Sequence, residues 1–194
     1  TTVDTLVETR GQAASHVGVS PITRTTKLMV VGDSVPQRLL PALSEVGMRE
    51  NVIVSSASRG GCSVIGAVTV TGDGTPLDPV CTQMPATQRD ELAKTRPDVV
   101  LWWSRYELAD RLGPGGAILR ADQPAFWALQ TAEIHEAVTR LTATGATLVI
   151  VSPDRVGHGI YAQCEPGSCE PFVTRLATDD ASRNRLTAIL SAEA

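Results

Sequence analysis

An α/β fold built on a parallel sheet is predicted by three observations. Four short apolar runs have the length of buried strands. The segments between them repeat apolar residues at helical spacing. Gly47, Pro97 and Gly145 punctuate the changes from helix back to strand. Strands that alternate with helices through right-handed crossovers give a three-layer α/β/α sandwich. Such sheets bind ligands at the carboxyl ends of their strands, so chemistry is expected along that edge. A chain of 194 residues suffices for one domain with a full core.

The elements follow in order. Residues 1–26 are polar, Thr-rich and weakly patterned, and read as a linker or N-terminal extension ahead of a domain spanning 27–194. KLMVVG (27–32) is a short apolar run ending in Gly, the pattern of a strand buried on both faces. Pro36 suits a first helical turn, where its missing N–H costs nothing. Leu39, Leu40, Leu43 and Val46 then mark a helical face that Gly47 would close. NVIVSSA (51–57) is the second strand, and residues 58–85 form a Gly/Pro/Asp-rich excursion. A short helix is expected over 86–95, a third strand over 98–103 (DVVLWW), and a loop at 113–116. The longest helix, 124–143, carries Trp127, Ile134, Val138 and Leu141 on its buried stripe. TLVIVS (147–152) is the fourth strand, residues 153–173 read as loop, and a last helix begins near Asp179.

Composition excludes several functions. The net charge is −4 and no Lys/Arg run stands ready to hold phosphates, so nucleic acid is not an expected partner. No run of about 20 apolar residues exists to span a membrane, and residues 1–20 lack the apolar core of a signal peptide. The cysteines, Cys62, Cys81, Cys164 and Cys169, have no zinc-ligand spacing, and no metal or organic cofactor is implied. An even count suits two disulfides in an oxidising compartment. Local pairing, 62–81 and 164–169, is the connectivity adopted among the three available; four reduced thiols are the alternative.

The first strand runs into Gly32-Asp33-Ser34, which places Ser34 between a strand end and a helix start. There a serine is exposed at the ligand edge in the positive field of the helix N-terminus. An adjacent base would deprotonate it for attack on an ester. From position alone, the reading favoured is a Ser34 that only caps its helix. Neither GxGxxG, GxxxxGK nor GxSxG occurs. The stretch GDSVPQRLLPAL (32–43), at the end of the first strand, resembles the first sequence block of the SGNH/GDSL hydrolase superfamily. The resemblance covers about residues 27–194. It is closest to SGNH domains fused to bacterial membrane acyltransferases of the acyltransferase-3 type, which O-acylate cell-envelope carbohydrate.

The resemblance implies a flavodoxin-like sheet, Ser34 as nucleophile, and Asp33 as the acid steadying its turn, with Gly32 in support. It places an oxyanion-hole glycine after the second strand, where Ser58-Arg59-Gly60-Gly61-Cys62 stands and Gly61 matches best. Its N–H would join that of Ser34; taken alone, the two glycines make a plain turn. The third block, usually GxND, is here Ser104-Arg105-Tyr106-Glu107, with no Asn. Ser104, Arg105 and Tyr106 become candidates for substrate contact, and Arg105 or Tyr106 for the missing donor. Glu107, Asp110 and Arg111 read as a solvated or ion-paired loop. The last block, Asp-x-x-His, is absent, and so is the fifth strand that should precede it. The expectation is that the chain is a C-terminally truncated piece whose triad Asp and His lie beyond Ala194, with His158 as the substitute base.

The expected function is that of an extracytoplasmic, membrane-tethered serine O-acyltransferase or esterase. It would act on acyl esters of envelope carbohydrate, with acetyl the expected acyl group, through an acyl-Ser34 intermediate. Its partners would be acylated carbohydrate or an acyl donor, and a covalently linked membrane acyltransferase domain absent from this chain. The alternative is an inactive SGNH-like domain that only binds glycan.

Overall fold

The computed structural model describes residues 24–153 and 171–193. Its elements are β1 (Thr26–Gly32), α1 (Ser34–Arg49), β2 (Val52–Ser58), α2 (Met84–Thr95), β3 (Val99–Trp103), β4 (Arg111–Leu112), β5 (Ile118–Leu119), α3 (Pro124–Thr142), β6 (Thr147–Ile150), α4 (Pro171–Thr178) and α5 (Asp180–Glu193). Three 3-10 turns join them, at Pro79–Gln83, Tyr106–Leu108 and Pro114–Gly116.

The central sheet is parallel throughout, in the order β2-β1-β3-β6. The chain steps from β1 outward to β2, then back across β1 to β3 and on to β6. Because each crossover is right-handed, α1 lies on one face and α2 and α3 on the other. This is the three-layer α/β/α sandwich expected from the sequence. β1 is hydrogen-bonded on both sides, and Met29, Val30 and Val31 are fully buried, which is why its sequence is an unbroken apolar run. Met29, Val31, Val100 and Trp102 meet Leu92 of α2, Phe126, Ile134 and Leu141 of α3, and Leu186 and Leu190 of α5 in one continuous core.

Several expectations are corrected. The α1 stripe of Leu39, Leu40, Leu43 and Val46 is not buried. Leu39 and Val46 are exposed, Leu40 and Leu43 half-buried, and only Pro36 and Gly47 are buried. Gly47 does not stop the helix but lets it press on β2, since a Cβ there would stand 2.6 Å from the Val52 carbonyl oxygen. The helix instead ends at Arg49, and Asn51 turns the chain with φ 56°. Residues 171–173, read as loop, open α4. The two-residue strands β4 and β5, an antiparallel pair, were not foreseen because they are too short to show a period. The linker expected at 1–26 lies outside the described residues up to position 23, and β1 already begins at Thr26.

Candidate active site

Ser34 stands at the carboxyl end of the central strand, as the first residue of α1, and is half-buried. The helix cap is Asp33, whose Oδ1 accepts the Val35 N–H at 2.8 Å. Capping by Ser34 itself, the reading that position alone favours, is therefore not what this helix uses. Among the described residues the Ser34 hydroxyl has no hydrogen-bond partner. Asp33 is buried, and its Oδ2 accepts the Arg105 N–H at 2.9 Å. One carboxylate thus ties the β1–α1 turn to the chain leaving β3. Gly32 pairs with Ser58 of β2 and Trp103 of β3. A Cβ on it would stand 1.8 Å from the Trp103 carbonyl oxygen, so only glycine fits.

The chain leaving β2 crosses beside Ser34. The Arg59 N–H donates to the Gly32 carbonyl at 2.9 Å, and the Gly60 N–H donates to Gln37 Oε1 at 2.8 Å. Gly60 lies against Ser34, since a Cβ on it would be 3.4 Å from Ser34 Cβ. Of the two glycines, Gly60 therefore makes the close approach. Gly61, at φ 80°, keeps an N–H with no partner among the described residues. Its carbonyl accepts from the Thr69 hydroxyl at 3.3 Å.

Cys62 and Cys81 form a disulfide across 19 residues and are both buried. Together with the Arg59–Asp78 ion pair at 3.0 Å it folds the 58–85 excursion back on itself. The Asp78 carboxylate and both sulfurs converge within 4.8 Å, but sulfurs spent in a disulfide are not thiolate ligands. Replacing both cysteines by serine is expected to cost about 3 kcal/mol in the loop-entropy picture. Urea unfolding measures it, and a loss below about 1 kcal/mol would mean that the loop is held by its other contacts.

On the chain leaving β3, of the two readings, solvated or ion-paired, the ion-paired one holds for Asp110 and Arg111, and the pairs are buried: the exposures of Glu107, Asp110 and Arg111 are 1%, 3% and 4%. Arg111 pairs with Glu133 and donates to Gln130 Oε1 at 3.0 Å. Asp110 accepts from Arg175 of α4 at 2.8 Å and lies 3.4 Å from Arg120. Glu107 Oε1 accepts the Val64 N–H at 2.8 Å, while Oε2 has no partner among the described residues. Burial pushes its carboxyl up to about 7, against the opposing pull of the nearby Ser104 hydroxyl and the Val64 and Glu107 N–H groups. Ser104 is buried and its Oγ accepts the Tyr106 N–H at 3.2 Å; Arg105 and Tyr106 are half-buried. Glu107 was not singled out because RYELADR mixes charged residues with Tyr106, Leu108 and Ala109 at no strand or helix period, so nothing marks an interior position.

His158, Cys164 and Cys169 lie outside the described residues, so the 164–169 pairing and the substitute base do too. His135 is on the outer side of α3, where its Nδ1 pairs with Glu193 at 2.9 Å. The described geometry brings together Ser34, Asp33, the Gly60-Gly61 turn and the start of the β3 exit; no histidine is among them.

Among known proteins, the family model described as the SGNH domain fused to AT3 domains matches residues 6–191. No curated protein matches the chain. Of solved structures, the periplasmic domain of a lipopolysaccharide acetyltransferase from Salmonella ser. Paratyphi A is similar at 15% identity and a TM-score of 0.41. The match covers 65% of this chain and 44% of that one, so this chain spans less than half of the solved domain.

Proposed function

Because the chain belongs to the family of SGNH domains fused to AT3 domains, we propose that it is an extracytoplasmic acyl-transfer domain with Ser34 as nucleophile. The observation that carries the reading is the placement of Ser34. Its hydroxyl is at the ligand edge of the central strand, and Asp33 has relieved it of the capping role. The N–H groups of Ser34 and Gly61 are the oxyanion donors in this reading, since the Gly60 N–H is already spent on Gln37.

Ser34 Oγ attacks the carbonyl carbon of an acyl donor, and its proton passes to a base. The tetrahedral oxyanion collapses, the bond to the leaving oxygen breaks, and the base returns the proton to that oxygen. A hydroxyl of an envelope carbohydrate, or water, then gives its proton to the base and attacks the acyl-enzyme; the acyl–Oγ bond breaks and the base returns the proton to Ser34 Oγ. The base is a histidine oriented by an aspartate, taken to be an Asp-x-x-His block beyond Ala194, with His158 as the alternative. No metal or cofactor takes part in this scheme. The disulfide at Cys62–Cys81 supports an oxidising compartment, and the family's fusion to AT3 domains supports tethering to a membrane acyltransferase domain. Among the described residues no helix is long and apolar enough to cross a membrane.

A second reading is an inactive glycan-binding domain. Its support is the Ser104-Arg105-Tyr106-Glu107 segment, which supplies no amide side chain where the family has one. A fluorophosphonate probe followed by peptide mass spectrometry separates the two. Tested on a chain that carries the Asp-x-x-His block assigned above, the probe is expected to modify Ser34. An unlabelled protein that still binds acylated envelope glycan would establish the second reading instead.

A further inference from the structure

The peptide unit at Val64 is held at both ends. Its N–H goes to buried Glu107, and its carbonyl accepts from Gln88 Nε2 at 3.0 Å and Arg140 at 3.3 Å. Arg140 Nε in turn donates to Gln88 Oε1 at 2.9 Å. Val64 lies three residues after Gly61 and two after the disulfide-bonded Cys62, so fixing it fixes the end of the turn that passes Ser34. Glu107 itself sits two residues after Arg105, inside the 3-10 turn Tyr106–Leu108, and the Arg105 N–H is bound by Asp33. Asp33 and Glu107 therefore act as two buried carboxyl struts. The first joins the nucleophile turn to the β3 exit, and the second joins the β3 exit to the loop that carries Gly61.

We propose that Glu107 is a positioning residue which, in its ionised form, holds the Gly61–Val64 loop in register with Ser34, so that the oxyanion donors are set by its protonation. The role of the loop in acyl transfer rests on the reading given above. The charge that acts on Glu107 is that of Asp33, which opposes its ionisation; the Ser104 hydroxyl and the N–H groups of Val64 and Glu107 favour it. From α4, Arg175 is turned to the Leu108 carbonyl and Asp110. From α5, Arg183 is turned to the Leu176 carbonyl and Asp180. Neither guanidinium is thereby bound to the Glu107 carboxyl. With burial raising its titration to about 7, the strut changes state near neutral pH. The anion accepts strongly from the Val64 N–H and is favoured by the Ser104 hydroxyl; the neutral acid accepts more weakly.

Two measurements test this. In the wild-type protein, the amide signals of Val64 and Gly61 are followed by NMR from pH 5 to 9. A shared titration is expected, absent from Glu107→Gln, which keeps an acceptor but cannot ionise. Fluorophosphonate labelling, on wild-type and Glu107→Gln chains that both carry the Asp-x-x-His block assigned above, is then compared over the same range. If only the ionised form positions the loop, the ratio of wild-type to Glu107→Gln rates rises about tenfold between pH 6 and 8. Val64 and Gly61 amides that do not titrate in the wild type, or a pH-independent ratio, would overturn the proposal. Shared amide titration with no labelling in either protein would leave the strut standing and refute the catalytic reading.

Discussion

Ser34→Ala is expected to end covalent labelling and to lower acyl transfer by about a thousandfold or more, while leaving stability within about 0.5 kcal/mol of wild type. The two halves of this expectation have separate origins. The rate falls because, in the proposed reading, the attacking oxygen is that of Ser34, at the end of β1 where the Gly60-Gly61 turn passes. Stability is kept because the cap belongs to Asp33 and the Ser34 hydroxyl has no partner among the described residues. Were Ser34 a cap, its loss would cost about 1 kcal/mol, a fall of about 2–4 °C in melting temperature for a domain of this size. Labelling rates and thermal melts on the same preparation decide it. An unchanged rate with a lowered melting point would remove Ser34 from the mechanism.

The largest structural effect is expected from Gly32→Ala. The new methyl would stand 1.8 Å from the Trp103 carbonyl oxygen and 2.8 Å from Pro36 Cγ. Neither neighbour yields cheaply: Trp103 closes the β1–β3 ladder opposite Gly32, and Pro36 is buried in the first turn of α1. Relief requires the strands to part at the point where Asp33 bridges them. A loss of about 3 kcal/mol or more is therefore expected by urea unfolding. Labelling of Ser34 should fall even in whatever fraction stays folded, since the nucleophile turn moves with its strand. A variant within 1 kcal/mol of wild type that labels normally would show that the two strands adapt, contrary to the tight packing described.

The strands were legible because burial on both faces of a parallel sheet leaves a continuous apolar run, and KLMVVG and DVVLWW are such runs. The β1–Ser34 junction was legible for a related reason: a Gly that ends such a run, followed by Asp-Ser and a helical pattern, has few other geometries. The α1 stripe misled because periodicity reports which residues share a face, not how close the helix lies to its sheet. That distance is set at Gly47, where the missing side chain brings the helix onto β2.

By itself, then, the sequence determined the layer architecture, the family resemblance, and Ser34 at the carboxyl end of the first strand. These are carried by local patterns, each contained within about 20 residues. The tertiary structure decided which groups hold that edge together. It gave the cap to Asp33 and the close approach to Gly60, and it buried Glu107, Asp110 and Arg111 in a stretch that reads as solvated or ion-paired loop. The physical reason is that the partners of these groups are distant in sequence: Val64 for Glu107, Arg175 for Asp110, Glu133 for Arg111. A polar residue looks the same in a sequence whether water or a partner brought over by the fold satisfies it.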